Sequence, residues 1–411
     1  MSLPTADGPS PTRASNVDVL AGEHRSATAP APRVELTTEA VSTWPWLWPV
    51  VSYLATRAAL LVLAGLIALD GHHSITSELS GFDGGWYLRL VDRGYPTYVT
   101  HAQSTLGFFP LYPMVVRALD WLTLAPVTVV ALIVSFAGGL VATVLVERLA
   151  TKWWGEQIGP RAAIAFVLFP GSVVFSMAYS ECLTIPLIVG CLLCVSKKRW
   201  IAAGLLAGMA TAVEPAALAM IVVLAVVALR ELRAHGFADR SARRSLLAPL
   251  LSTLGIGGFG IFLWVWTGTP FATLAAQHYG WHQQNGPFGI FGQPIVRHLI
   301  ASPGKVVAYL PSWNLWSGIV GAMFLALSLV ALYRVRKELT AGAFGWVVGI
   351  AVLTLWSVMT PPKARLLLIA FPAVIVWARR LNATRLAAFF AAESAVFVIA
   401  SALTLSGHML P

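Results

Sequence analysis

From about residue 45 onward, long apolar stretches alternate with short polar ones, and the apolar stretches carry no polar face that repeats with the period of a surface helix. They fall at roughly 45–69, 124–147, 162–179, 182–196, 200–213, 216–229, 246–267, 314–333, 343–359, 366–378 and 386–406. A segment surrounded by lipid must satisfy its backbone hydrogen bonds internally, so continuous apolarity of this kind predicts helices that cross a bilayer. A crossing takes about 20 residues, and several stretches are shorter. The expected fold is therefore an all-α, polytopic integral membrane protein with about 11 transmembrane helices, give or take one or two for segments that pair, tilt or re-enter. Residues 1–44 are different. They are rich in Ser, Thr, Ala and Pro and have no apolar period, so a disordered tail is expected ahead of a membrane domain at 45–411.

Composition supports this division. Of 411 residues, 57% are hydrophobic and 11% charged, where a soluble domain carries about 25% charged residues. The 16 Trp and nine Tyr suit the two membrane–water interfaces. A net charge of +10 would suggest nucleic acid in a soluble protein, but here topology accounts for it and no nucleic-acid partner is expected. Seventeen basic residues fall in alternate loops, around Arg148, Lys197, Arg240, Arg336 and Arg380, against seven in the loops between them. Positive charge stays inside, so the amino terminus is expected in the cytoplasm and the carboxyl terminus outside. Cys182, Cys191 and Cys194 all lie in one apolar segment. Without a second pair or a nearby His they read as small buried hydrophobes, and no metal or other cofactor is expected.

On this map the unusual polar residues gather on one face. Asp83, Glu181, Glu214, the run from Gln277 to Asn285, and Lys363 with Arg365 all fall at or near the extracytoplasmic side. Two long loops on that side, about 70–122 and 268–312, are expected to contain interfacial helices and to be functional. In the first, Gly81-Phe82-Asp83-Gly84-Gly85-Trp86-Tyr87 leads into a helical spacing of Trp86, Leu90 and Arg93 that stops at Gly94 and Pro96. Asp83 then sits near a helix amino terminus, where the dipole favours its ionised form. That position suits a general base acting on a lipid-borne substrate, or simply a helix cap. Farther along the loop, Phe108-Phe109-Pro110-Leu111-Tyr112-Pro113 would make a rigid apolar edge, either a wall for a lipid chain or a packed turn.

Glu181, at the edge of an apolar span, either faces an aqueous cavity or ties down backbone amides. Glu214 precedes Pro215 and could cap a helix. Gln277-His278-Tyr279-Gly280-Trp281-His282 mixes hydrogen-bonding groups with aromatic rings, as a sugar site requires. His278 and His282 also have the i, i+4 spacing of zinc ligands, but no third ligand is evident. Lys363 and Arg365, two cations on the face that topology leaves poor in positive charge, suit a phosphate or pyrophosphate at the membrane surface. Snorkelling to headgroups is the plainer alternative.

The order and spacing of these motifs, Asp83-Gly84-Gly85-Trp86-Tyr87-Leu88, Phe108 to Pro113, Ser176 to Glu181, and Lys363-Ala364-Arg365 with Phe371-Pro372, resemble those of the PIG-V-type mannosyltransferases, in particular their bacterial members. The resemblance covers about residues 45–405 and departs at Phe82, where Trp is usual, and at Glu214. It implies a GT-C glycosyltransferase in a bacterial plasma membrane that uses a polyprenyl-phosphate sugar donor and inverts the anomeric centre. The acceptor would be a lipid, a glycan or a protein. By the same resemblance Asp83 is the base and Lys363 and Arg365 hold the donor phosphate. Trp86, Tyr87, Gln277, His278, Trp281 and Glu181 are the expected contacts to sugar or acceptor. Two other classes remain open: a transporter or flippase with intramembrane carboxylates, and a non-catalytic subunit of a glycosylation complex.

Overall fold

The structure, a computed structural model, describes residues 47–283, 312–357 and 362–411. The expected tail at 1–44 and the part of the second long loop beyond Gln283 lie outside the described residues. Among the described residues the regular elements are helices and there is no strand.

In chain order, α1 (Leu47–Gly71) is followed by the first-loop helices α2 (Ile75–Leu79), α3 (Asp83–Arg93) and α4 (Leu111–Asp120). Next come α5 (Val127–Trp154), α6 (Ile158–Leu168), the 3₁₀ turn Pro170–Ser176, α7 (Glu181–Ser196) and α8 (Trp200–Thr211). A second 3₁₀ turn, Pro215–Leu218, leads into α9 (Ala219–His235), then α10 (Arg240–Ser245), α11 (Leu247–Ser252), α12 (Leu254–Thr267) and the second-loop helix α13 (Ala272–Tyr279). The chain closes with α14 (Trp313–Val335), α15 (Ala343–Trp356), α16 (Ala364–Ile369), α17 (Pro372–Arg380) and α18 (Ala383–Leu405).

Among the described residues six helical stretches have the length and apolarity to cross a membrane, and a seventh is reached if α6 and the Pro170–Ser176 turn form one broken span, bent by 77°. The other apolar stretches are helical but short. Helices α7, α8 and α15 have 16, 12 and 14 residues, and 366–378 is divided between α16 and α17 at Pro372, which lacks the N–H needed to continue a helix. The sequence estimate of 11 spans counts these stretches together with the long ones. Outward-facing apolar side chains are abundant, with Leu69 75% and Val265 83% exposed. A water-soluble chain would bury such residues. The protein is a multi-pass helical membrane protein.

The interior is organised around α5, α6, α7 and the Pro170–Ser176 turn. Helix α1 turns Tyr53, Arg57, Leu60 and Ala64 inward at helical spacing. Arg57 is 1% exposed; it donates to the Ser172 carbonyl at 2.6 Å, to Ser172 Oγ at 3.0 Å and to Ser176 Oγ at 3.3 Å. Its guanidinium also lies over the rings of Tyr53 and Phe397. The same turn makes a backbone contact on its other side. A Cβ on Gly171 would stand 2.2 Å from the Ala364 carbonyl oxygen. Only glycine therefore lets α16 begin this close to the turn.

Candidate active site

Helix α3 starts at Asp83, as the first-loop pattern predicts, and stops at Gly94, whose φ of 71° is a glycine conformation. Phe82 precedes it with φ 55° and ψ −123°, an uncommon conformation for a bulky residue. No side-chain cap closes this helix. The Asp83 side chain instead reaches across 282 positions of sequence, its Oδ2 accepting a short hydrogen bond from Arg365 Nη1. Its backbone N–H donates to the Tyr179 hydroxyl at 3.3 Å.

Arg365 is the centre of the cluster. Besides Asp83 it faces Glu181 Oε1, 3.7 Å from its Nε, and it lies over the Tyr179 ring at 5.5 Å. Burial works against its charge, and the Asp83 and Glu181 carboxylates more than offset that. Glu181 opens α7 with 3% exposure. Lys363, the residue preceding α16, has no carboxylate within 4 Å among the described residues. Burial, then the like charge of Arg365, lowers its ammonium to about 8, with Asp83 acting in the other direction. The two cations expected to act as a pair thus have different surroundings. Arg365 is engaged by carboxylates, and Lys363 is partly buried without a carboxylate partner among the described residues.

These groups line the head of a cavity of about 790 Å³. Asp83, Tyr179, Glu181, Glu214, Lys363 and Arg365 are all on its wall. Its remaining lining is mostly apolar, supplied by Phe109 of the first loop, by Ile256, Phe259 and Leu263 of α12, and by Leu353 and Trp356 of α15. Gln277 and Trp281 join from the second loop. Gln277 Nε2 donates to the Gly107 carbonyl at 2.8 Å and Trp281 Nε1 to the Ser104 carbonyl at 3.4 Å, so both are fixed by the first loop.

The structure places the other sequence candidates behind or away from this wall. Trp86 stacks on Phe108 with centroids 6.2 Å apart and meets Trp281 edge-on at 5.0 Å. Tyr87 is buried and donates to Ser180 Oγ at 2.8 Å. Both support the wall residues and are not part of the lining. His278 is exposed, facing the Gln283 carbonyl at 3.4 Å, and is also outside the lining. Gln277, near the end of α13, and Trp281, just beyond it, are partly buried, while His278 and His282 are exposed. Among the described residues no group of three or more His, Cys, Asp or Glu could hold a metal ion. The cysteines are free thiols. Tyr179 has no signal of its own in the sequence, because one tyrosine in an aromatic-rich chain is unremarked until the fold brings it under Arg365. The fold and the site together define a helical membrane protein with a carboxylate–arginine cluster and a lysine at the head of an apolar cleft.

No family model matches the chain, and no curated protein does. Among solved structures it is similar to the apo oligosaccharyltransferase of Archaeoglobus fulgidus, at 12% identity and a TM-score of 0.47, over 86% of this chain and 56% of that one. It is also similar to ArnT of Cupriavidus metallidurans bound to undecaprenyl phosphate, at 14% identity and 0.48, over 89% and 76%. The archaeal oligosaccharyltransferase AglB, in complex with an inhibitory peptide and a dolichol-phosphate, gives 13% and 0.45 over 85% and 55%. The chain spans little more than half the length of the archaeal enzymes. At these scores the likeness fixes neither a family nor an activity.

Proposed function

We propose that the protein is a membrane glycosyltransferase of the GT-C type that moves a sugar, taken here as mannose, from a polyprenyl-phosphate donor to a lipid, glycan or protein acceptor on the extracytoplasmic face of a bacterial plasma membrane. The observation that carries this reading is the cleft. One cavity joins a carboxylate, a cation and a long apolar wall, the three things a phosphate-linked lipid donor and a hydroxyl acceptor require. The motif order that resembles the PIG-V-type enzymes supports it.

In this mechanism the polyprenyl chain lies along α12 and α15 and its phosphate meets Lys363. Arg365 holds Asp83 through Oδ2, leaving Oδ1 to accept the proton of the acceptor hydroxyl. The acceptor oxygen attacks the anomeric carbon as the bond from that carbon to the phosphate oxygen breaks, and the lipid phosphate leaves with the electron pair. Attack opposite the leaving group inverts the centre. The phosphate needs no proton to leave, so one base suffices, and the charge growing on it is met by Lys363, with Arg365 beside it. Gln277 and Trp281 border the sugar and acceptor, and Glu181 sets the second contact of Arg365.

The test is transfer of radiolabelled mannose from polyprenyl-phosphate-mannose to endogenous acceptors in membranes that express the wild type, Asp83→Asn or Lys363→Ala at equal levels. Labelling that is lost in Asp83→Asn supports the reading and identifies the acceptor. Labelling indifferent to Asp83→Asn removes Asp83 as base, and none in the wild type rules out this donor.

A further inference from the structure

Glu214 is left unexplained by that mechanism. It stands immediately outside the span Pro215–His235, on the cavity wall, 8% exposed, and its Oε1 has no hydrogen-bond partner. Glu181, also on the wall, leaves its Oε2 unpartnered. A capping role does not account for Glu214. It precedes the Pro215–Leu218 turn, but its side chain makes no cap hydrogen bond. An ion-pair role does not account for it either, because among the described residues no cation lies within 4 Å of it.

The charges around the cleft decide its form. Burial, then the Glu181 carboxylate, raise Glu214 to about 8, while Arg365 and the hydroxyls of Thr184 and Ser180 act in the other direction. Tyr87 and Cys182 are the other titratable groups that sense it. With Asp83 and Glu181 already sharing Arg365, a third negative charge would oppose entry of a lipid phosphate. A neutral carboxylic acid would not, and it presents one O–H donor beside one carbonyl acceptor. A sugar hydroxyl presents the complementary pair. Glu214 lines the same cavity as Lys363 and Arg365 and senses the charges of Glu181 and Arg365, so a sugar carried on a phosphate at those cations enters the space that Glu214 faces.

We propose that Glu214 is the specificity residue of this cleft, its carboxylic acid donating a hydrogen bond to a hydroxyl of the sugar on the lipid phosphate, an inference that rests on the transferase reading above. The experiment uses the full chain in lipid nanodiscs and measures affinity for undecaprenyl phosphate and for undecaprenyl-phosphate-mannose at pH 6.5 and 9.5. The ratio of the two affinities isolates the sugar, because Lys363 acts on the phosphate that both lipids share. In the wild type the sugar improves binding about tenfold at pH 6.5, the scale of one well-made hydrogen bond, and most of that gain disappears at pH 9.5. Glu214→Gln keeps the gain at both pH values, and Glu214→Leu loses it at both while the bare phosphate lipid still binds. A gain unchanged in Glu214→Leu, or no gain in the wild type, overturns the inference and leaves the donor reading standing. Failure of the wild type to bind either lipid overturns both. If Glu214→Leu binds neither, Glu214→Gln decides, and a gain that still vanishes at pH 9.5 overturns the inference.

Discussion

Two arginines, the buried Arg57 and the partly exposed Arg365, make the most useful contrast in the molecule. Arg57 is enclosed by the hydroxyls of Ser172 and Ser176, a carbonyl and two aromatic rings, with no carboxylate within 4 Å among the described residues and 1% of its surface open. Arg365 meets two carboxylates and one ring, and its side chain is 26% exposed on a cavity wall. Both residues adjoin the Pro170–Ser176 turn, Arg57 through its guanidinium and Arg365 through the backbone seating of Ala364 on Gly171. A cation held by neutral groups in a closed site fastens the fold. A cation held by carboxylates beside empty space is arranged for chemistry.

That contrast is open to direct attack. The largest effect is expected from Arg365→Gln, which releases Asp83 and removes charge from the phosphate end of the cleft. Transfer per folded molecule should fall at least about 100-fold, measured as initial rates in proteoliposomes. Arg57→Gln should do the reverse, lowering stability by about 3 kcal/mol in denaturant titrations in detergent while the folded fraction keeps most of its rate. Equal activity losses in the two variants would erase the distinction. Next comes Gly171→Ala. The added methyl must push α16 away from the turn, and a shift of this kind should cost on the order of tenfold to a hundredfold in rate with little loss in kinetic preference between sugars.

The pH response sharpens the difference between Lys363 and its neighbour. With its ammonium lowered to about 8, Lys363 is charged below that pH and neutral above it, so affinity for undecaprenyl phosphate should weaken about tenfold as pH rises from 6.5 to 9.5. Lys363→Arg should flatten the curve, because a guanidinium stays charged throughout. The smallest effect belongs to His278→Ala. An exposed ring outside the cleft should change the transfer rate less than about twofold, and a larger loss would place His278 in an acceptor path that the cavity lining does not include.

Much of this arrangement is legible in the sequence, and what is not has identifiable physical reasons. The glycine-flanked Asp83 at the start of an amphipathic segment announces its helix, and the cations Lys363 and Arg365 stand out on a face that should have few. The pairing of Arg365 with Asp83 across 282 positions is tertiary and has no local signal. Arg57 is silent because one charge inside the 45–69 stretch barely alters its hydropathy, and only packing shows what encloses it. His278 has the same polar-aromatic character as Gln277 and Trp281 around it, so the sequence does not separate them; the first loop does, by accepting hydrogen bonds from Gln277 and Trp281 while His278 stays exposed. The span count suffers likewise, because hydropathy registers apolarity while breaks at Pro170 and Pro372 govern length.

The seating of α16 on Gly171 bears on how this cleft could be transplanted or diversified. Residues 171 and 364 are separated by almost half of the chain, yet they form a single joint, so the Lys363–Arg365 segment is not a portable cassette. A chimera that imports a homologous cation segment without a matching turn would carry the right charges at the wrong height above Asp83. Conversely, exchanging the turn and the segment together should move the phosphate end as one piece and leave the apolar wall free to be varied for lipids of other lengths.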